Sequence, residues 1–139
     1  MAAKADAIAR IANPETREFW QAAADGRLLV PKCTTCGRVH WYPRRVCPHC
    51  ASTAIEMQEA KGTGKIYSYS IMRRAKVPYA IAYVRLSEGA TMMTNIVDCE
   101  FDDIEIGMPV KLVFRDSPEG YPLPMFTKPE RRGRRNRDA

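Results

Sequence analysis

Apolar residues recur mostly with a period of two along this 139-residue chain, which predicts a mainly β protein with one helix near its start. Lys65–Ile71 (KIYSYSI) sets Tyr67, Tyr69 and Ile71 on one face and Ser68 and Ser70 on the other, the pattern of a half-buried strand. Tyr79–Leu86 (YAIAYVRL) is apolar on both faces and reads as a central strand. Ala90–Val97 follows a Ser87-Glu88-Gly89 hairpin turn, and Val110–Arg115 (VKLVFR) is a further strand. Tyr121–Phe126 (YPLPMF) reads as a proline-broken edge segment. Earlier in the chain, Asn13-Pro14 opens a helix that runs through ETREFWQAAAD and stops at Gly26. Arg27–Lys32 makes a short strand, Arg38–Pro43 (RVHWYP) a hairpin strand, and residues 51–61 one strand with turns. Residues 1–12 alternate Ala with charge and are a frayed helix or disorder. Five or so short strands at this spacing favour a small closed barrel of the OB type.

Between the helix and the barrel, residues 33–50 read CTTCGRVHWYPRRVCPHC. The four cysteines form two Cys-x2-Cys pairs, Cys33/Cys36 and Cys47/Cys50, and two such turns can converge on one Zn²⁺ with tetrahedral thiolate ligation. Gly37 stands where a metal knuckle needs a residue that tolerates positive φ, and Pro48 suits the second turn. The competing readings are two disulfides or a redox pair, but a redox motif has no need of a second matching knuckle. With four cysteine ligands no position is open for water or substrate, so the expected zinc is structural. His40 and His49 are then surface or packing residues, and Cys99 is a small, partly buried apolar one.

Charge changes the picture less than the formal +6 suggests. From Lys128 onward, six basic residues against Glu130 and Asp138 contribute +4 of it, so residues 1–127 carry only +2. Four thiolates with one Zn²⁺ bring that body close to neutral. No apolar run approaches the roughly 18 residues of a membrane span, and MAAKADAIARIANPE lacks a signal-peptide core. These features predict a cytoplasmic protein in a reducing compartment. The expected organisation is an N-terminal helical segment (1–30), a zinc ribbon (31–58), an OB domain (59–127) and a disordered basic tail (128–139).

Catalytic chemistry is not visible. Both histidines fall in the cysteine segment, and Gly62-Thr63-Gly64-Lys65 is too short for a phosphate loop. Asp98, Glu100, Asp102, Asp103 and Glu105 lie in a polar connector and read as a solvated face. Tyr67, Tyr69, Tyr79 and Tyr83 beside Arg73, Arg74 and Lys76 can stack single-stranded nucleic acid, but most of them are expected in the barrel wall. Lys32, Arg38, Arg44 and Arg45 offset the charge of the thiolates, with an anionic ligand as their alternative role. Trp20 is large for so short a helix and packs either on the ribbon or on another chain.

The order of these pieces resembles a known family. A helix with Phe19-Trp20, then Gly26-Arg27-Leu28, the double-cysteine segment, Gly62–Ser70 (GTGKIYSYS), Pro78-Tyr79 and Ile106–Val110 (IGMPV) together resemble the rubredoxin-like zinc-ribbon plus OB-fold proteins encoded beside thiolases and related acyl-CoA enzymes. The resemblance covers roughly residues 14–127. It implies a non-catalytic accessory subunit that assembles with a thiolase-like, aldolase-like or hydratase partner and helps shape the site for a CoA thioester. Cys33, Cys36, Cys47 and Cys50 match the zinc ligands, and the helix with Phe19 and Trp20 matches the element that docks on the partner. Arg73, Arg74, Lys76, Arg38 and Arg45 are the candidates for the CoA phosphates. The alternative is a single-stranded nucleic-acid binder that uses the barrel face and the arginine-rich tail.

Overall fold

A computed structural model describes residues 13–129; the alternating stretch 1–12 and the arginine-rich stretch 130–139 lie outside the described residues. Helix α1 spans Arg17–Ala24 and buries Phe19, Ala22 and Ala23, the i, i+3, i+4 stripe that its sequence sets on one face. It begins later than Asn13-Pro14 suggests. Asn13 does not cap the helix but closes a turn, its Oδ1 accepting from the Thr16 amide at 3.2 Å and from the Thr16 hydroxyl at 3.3 Å. The other end is as expected. Gly26 has φ +79°, and the amides of Gly26 and Arg27 donate to the carbonyls of Ala23 and Ala22, a glycine-terminated Schellman cap.

Strand β1 (Leu29–Cys33) pairs antiparallel with β2 (Ile55–Glu59), register Leu29↔Glu59 to Cys33↔Ile55. This two-stranded sheet is the stem of the cysteine segment. The hairpin strand expected over Arg38–Pro43 is reduced to a single bridge, Lys32↔Val39, because Trp41 and Tyr42 turn toward α1 rather than along β1.

The remaining strands are β3 (Thr63–Met72), β4 (Tyr79–Leu86), β5 (Thr91–Ile96), β6 (Pro109–Asp116) and β7 (Pro122–Thr127). They close a barrel in the order β3-β4-β5-β7-β6, with β5 and β7 parallel and every other pair antiparallel. The proline-broken segment is therefore the closing strand and not an edge. Its prolines are tolerated because β5 pairs with it only at Ile96↔Phe126. The Thr94 hydroxyl also donates to the Pro124 carbonyl at 2.9 Å, which supplements the sparse ladder.

Tyr79–Leu86 alternates in burial, and the direction of that alternation reverses the expectation. Ala80, Ala82, Val84 and Leu86 face the interior with Ile66, Met92, Ile96, Val110 and Phe126, while Tyr67, Tyr79 and Tyr83 point outward. A five-stranded barrel has a narrow bore. Phe126, wholly buried, helps to fill it from β7, and β4 contributes the small Ala80 and Ala82 at one end and Val84 and Leu86 at the other.

Phe19, Leu28 and Val30 belong to the same buried cluster as the barrel residues, so helix, ribbon stem and barrel share one core. The Ala60 amide donates to the Leu28 carbonyl and extends the stem by one rung, and the Lys61 amide donates to the Glu88 carboxylate, which ties the stem to the barrel. Gly64 is required by close approach: a Cβ there would lie 2.5 Å from the Arg85 carbonyl oxygen and 2.8 Å from Val84 Cγ1. Gly64→Ala is expected to cost about 1–3 kcal/mol, measured as a lower urea midpoint at unchanged slope. An unchanged midpoint would mean that β3 and β4 have room to part.

Candidate metal centre and contact surfaces

The two Cys-x2-Cys turns share an amide-to-carbonyl bond four residues on, and in each a nearby amide points at the first sulfur. In the first, the Gly37 amide donates to the Cys33 carbonyl at 2.8 Å and the Cys36 amide points at Cys33 Sγ at 3.5 Å. In the second, the Ala51 amide donates to the Cys47 carbonyl at 2.9 Å and the His49 amide points at Cys47 Sγ at 3.3 Å. Gly37 (φ +77°) and Ala51 (φ +66°) occupy equivalent left-handed positions. Cys33 and Cys47 are buried and Cys36 and Cys50 exposed, so the cluster has an inner and an outer half.

The four sulfurs lie within 4.8 Å of one another. Cys33 Sγ and Cys50 Sγ are 3.6 Å apart, and Cys36 Sγ and Cys47 Sγ 3.7 Å. Four thiolates about 2.3 Å from a common centre stand about 3.8 Å apart at the edges of a tetrahedron, so the spacing fits Zn²⁺. All five cysteines are free, which removes the disulfide reading. The Cys36 amide holds the Cys33 thiol down to about 6. Cys50 stands at the other extreme, pushed up to about 12; the Ser52 amide lowers it, but burial and the neighbouring Cys33, Cys36 and Cys47 prevail. Four thiolates this close repel one another, and a divalent cation at their centre removes the conflict.

His40 is buried beside this cluster with neither ring nitrogen in a well-formed hydrogen bond, and burial together with the Arg44 charge pushes its pKa down. It is a neutral packing residue. His49 is exposed.

Trp41 and Tyr42 link the cysteine segment to α1. Phe19 meets Trp20, Trp41 and Tyr42 edge to face at 4.8, 5.2 and 5.9 Å between ring centroids. Trp20 continues the cluster to Tyr121 at 5.3 Å, and its indole N–H donates to the Tyr42 hydroxyl at 3.2 Å. Phe19 is 1% exposed and has no surface to offer a partner, whereas Trp20 keeps part of its ring accessible. Nothing in the spacing of Tyr42 and Tyr121 announces this cluster, since its members meet only through the tertiary fold.

The five candidate phosphate contacts are not brought together. Arg73, Arg74 and Lys76 occupy the loop between β3 and β4. Arg38 and Arg45 sit in the cysteine segment, whose Val39 lies against Gly89 at the opposite end of β4. An eight-residue strand spans roughly 25 Å, too far for one phosphate site to use both groups. Arg73 also faces Asp102 at 3.9 Å and lies over the Phe101 ring at 5.9 Å. The acidic connector is solvated as expected. Asp98 pairs with Arg115 and Asp103 with Lys128 at 3.7 Å, and no two carboxylates there are set up for acid–base work. Burial raises the Cys99 thiol, in keeping with a partly buried apolar role. No helix among the described residues is long and apolar enough to cross a membrane.

Paired cysteine knuckles on a two-stranded stem, followed by a closed barrel of this order, define a metal-ribbon and OB-fold protein. The chain belongs to the ChsH2 family: residues 20–56 match its rubredoxin-like zinc ribbon domain and residues 57–115 its C-terminal OB-fold domain. A DUF35 domain-containing scaffold protein of Methanocaldococcus jannaschii is 40% identical over 95 residues, covering 63% of this chain and 67% of that protein. The benzoylsuccinyl-CoA thiolase subunit BbsA of Thauera aromatica is 30% identical over 76% of this chain and 80% of its own. Among solved structures, the Ltp2-ChsH2(DUF35) aldolase superposes with a TM-score of 0.73 at 36% identity, covering 85% of this chain and 97% of that one. The chain spans only 36% of the length of a 39%-identical protein of Thermomonospora curvata named as a probable enoyl-CoA hydratase alpha subunit, and matches 78% of itself there.

Metal analysis of the purified chain is expected to return one zinc per molecule and a colourless solution. Cys47→Ser should lose the metal together with the tertiary fold of the ribbon; retention of one equivalent of zinc by Cys47→Ser would overturn the tetrathiolate assignment. Phe19→Ala should lower stability by about 3–5 kcal/mol, because it empties a site in the common core. A normal denaturation midpoint would return Phe19 to the surface role expected from the sequence.

Proposed function

We propose that this chain is a non-catalytic accessory subunit that assembles with a thiolase-type or aldolase-type enzyme acting on an acyl-CoA. The observation that carries the reading is the continuous pairing of cysteine ribbon and barrel over residues 20–115, in a family whose members include a thiolase subunit and the DUF35 partner of an aldolase. The work is divided among the helical segment (1–30), the ribbon (31–58), the barrel (59–127) and the basic tail (128–139). Cys33, Cys36, Cys47 and Cys50 hold a structural zinc that keeps the ribbon rigid at modest size. The partner's own residues perform the carbon–carbon chemistry in the degradation of the acyl-CoA, and this chain helps to form the path for the CoA thioester. Of the two cation groups, Arg38 and Arg45 are proposed to meet the CoA phosphates, because Arg73 is already engaged by Asp102 and Phe101. The complex is a cytoplasmic hetero-oligomer.

The outward tyrosines favour one rival. Tyr67 is 58% exposed with Arg85 over its ring at 5.0 Å, an arrangement that also suits base stacking. The two readings separate in one experiment. The tagged full-length chain, purified from its own cells, is expected to bring down a thiolase-like or aldolase-like protein in near-equal amount, and stripping this chain away should abolish that enzyme's activity. Full activity of the stripped enzyme would overturn the accessory role. Recovery of nucleic acid, with affinity for oligonucleotides falling steeply as salt rises, would install the rival instead.

A further inference from the structure

The barrel leaves one long stretch of strand edge without a second strand partner among the described residues. The β5–β6 connector reaches only its far end, through Phe101 and Asp102 at Arg73. Strand β3 has ten residues, but β6 pairs only with Thr63–Lys65 of it, and Ile66 completes the contact through Met108 and Gly107. From Ser68 to Met72, β3 is paired with β4 on one side and with no other strand among the described residues. Five residues of free backbone edge extend over about 17 Å. Edges of this kind are ordinarily blunted by lysine, proline, a bulge or a covering loop. Here Tyr67–Met72 reads YSYSIM, with no charge and no proline, and the register shift falls before the open stretch, between Ile66 and Ser68. The surroundings are apolar as well. Met72 is exposed on the outer face, where Tyr79, Tyr83 and Met93 continue the patch across β4 and β5. Tyr69, paired with Ala82, is exposed on the opposite face of the edge, and Val77 is 77% exposed at the hairpin tip. Aromatic and methionine side chains with charge excluded from the centre are the composition of a protein interface core.

We propose that the free edge of β3, Ser68–Met72, is where the enzyme subunit docks, by adding an extended segment of its own as a further strand of the sheet. This rests on the accessory-subunit reading and names its contact surface. Unpaired N–H and C=O groups in a row are satisfied by another backbone. A nucleic acid would need cations along the open stretch, and the sequence has none between Lys65 and Arg73, the neighbouring Arg85 lying over Tyr67 before that stretch begins. The added strand is uncharged opposite Tyr67–Met72 and carries carboxylates where it passes the β3–β4 loop, because Arg74 and Lys76 are exposed there without an ion pair among the described residues. A second copy of this chain fits less well. Antiparallel self-pairing about Ser70 would bring Arg74 and Lys76 of one copy toward Lys65 of the other, like charge against like.

The test is amide hydrogen exchange of the full chain alone and in the purified pair with its enzyme, together with two lysine variants. In the free chain the amides of residues 68–72 that do not bond to β4 should exchange rapidly, and in the pair they should slow by at least about tenfold. Ser70→Lys, a natural kind of edge guard, should weaken the pair at least about tenfold while leaving the urea midpoint of the free chain in place. Glu119→Lys, in the turn between β6 and β7, should leave affinity unchanged. A pair that forms with residues 68–72 still exchanging freely overturns the inference and leaves the subunit reading standing. No pair at all removes both. Protection that grows with the concentration of the chain alone assigns the edge to a second copy, and protection by oligothymidine assigns it to nucleic acid. Either result overturns the proposal.

Discussion

The mutual repulsion of four thiolates gathered within 4.8 Å is the constraint on which the rest of this molecule depends. Without metal it is relieved by protonation, as at Cys50, pushed up to about 12. A divalent cation lets all four sulfurs stay thiolates and holds the two knuckles together, and the segment between them then has few ways to lie. Trp41 and Tyr42 are then presented toward α1, where Phe19 and Trp20 meet them. Phe19 in turn belongs to the core that fills the barrel. An 18-residue cysteine segment with little apolar content of its own is thereby held rigidly to a domain that has a true core. The zinc acts locally, but its consequence is the fixed placement of the ribbon against the barrel.

That rigidity suits a protein whose work is contact. The described residues contain no nucleophile–base pair, and the acidic connector is spent on Arg73, Arg115 and Lys128. A near-neutral body can lie against a partner without strong steering, and the outer face of β3, β4 and β5 concentrates the largest exposed apolar side chains. The helix, by contrast, turns its apolar stripe inward and leaves only part of Trp20 accessible. The five candidate phosphate contacts separate into two groups toward opposite ends of β4, which confines any single phosphate to one of them.

Much of this was legible along the chain. The cysteine spacing located the four-cysteine cluster to the residue, because knuckle geometry is local and each pair carries its own turn signals. Strand positions followed from the period of two, and Tyr79–Leu86 was placed without error. Besides the later start of the helix, three readings needed correction for one shared reason. Most of the tyrosines of β3 and β4 were expected inside, whereas Tyr67, Tyr79 and Tyr83 point outward; Tyr121–Phe126 was expected at an edge; Arg38–Pro43 was expected to pair as a strand. Each depends on what lies across from the segment, and a linear pattern cannot see its neighbour.

The sequence by itself therefore determined the four-cysteine cluster, the β-rich class, the family and the number of barrel strands, since these rest on spacing and periodicity within short windows. Only the tertiary structure decided which face of each strand is inside. YAIAYVRL is apolar on both sides, and the bore that Phe126 helps to fill takes its alanines rather than its tyrosines. It also decided that β7 closes the barrel, because the partner strands come from distant parts of the chain, and that β3 outruns β6 to leave part of its edge without a second strand partner among the described residues. Local chemistry writes the elements; the volume they must share assigns their faces.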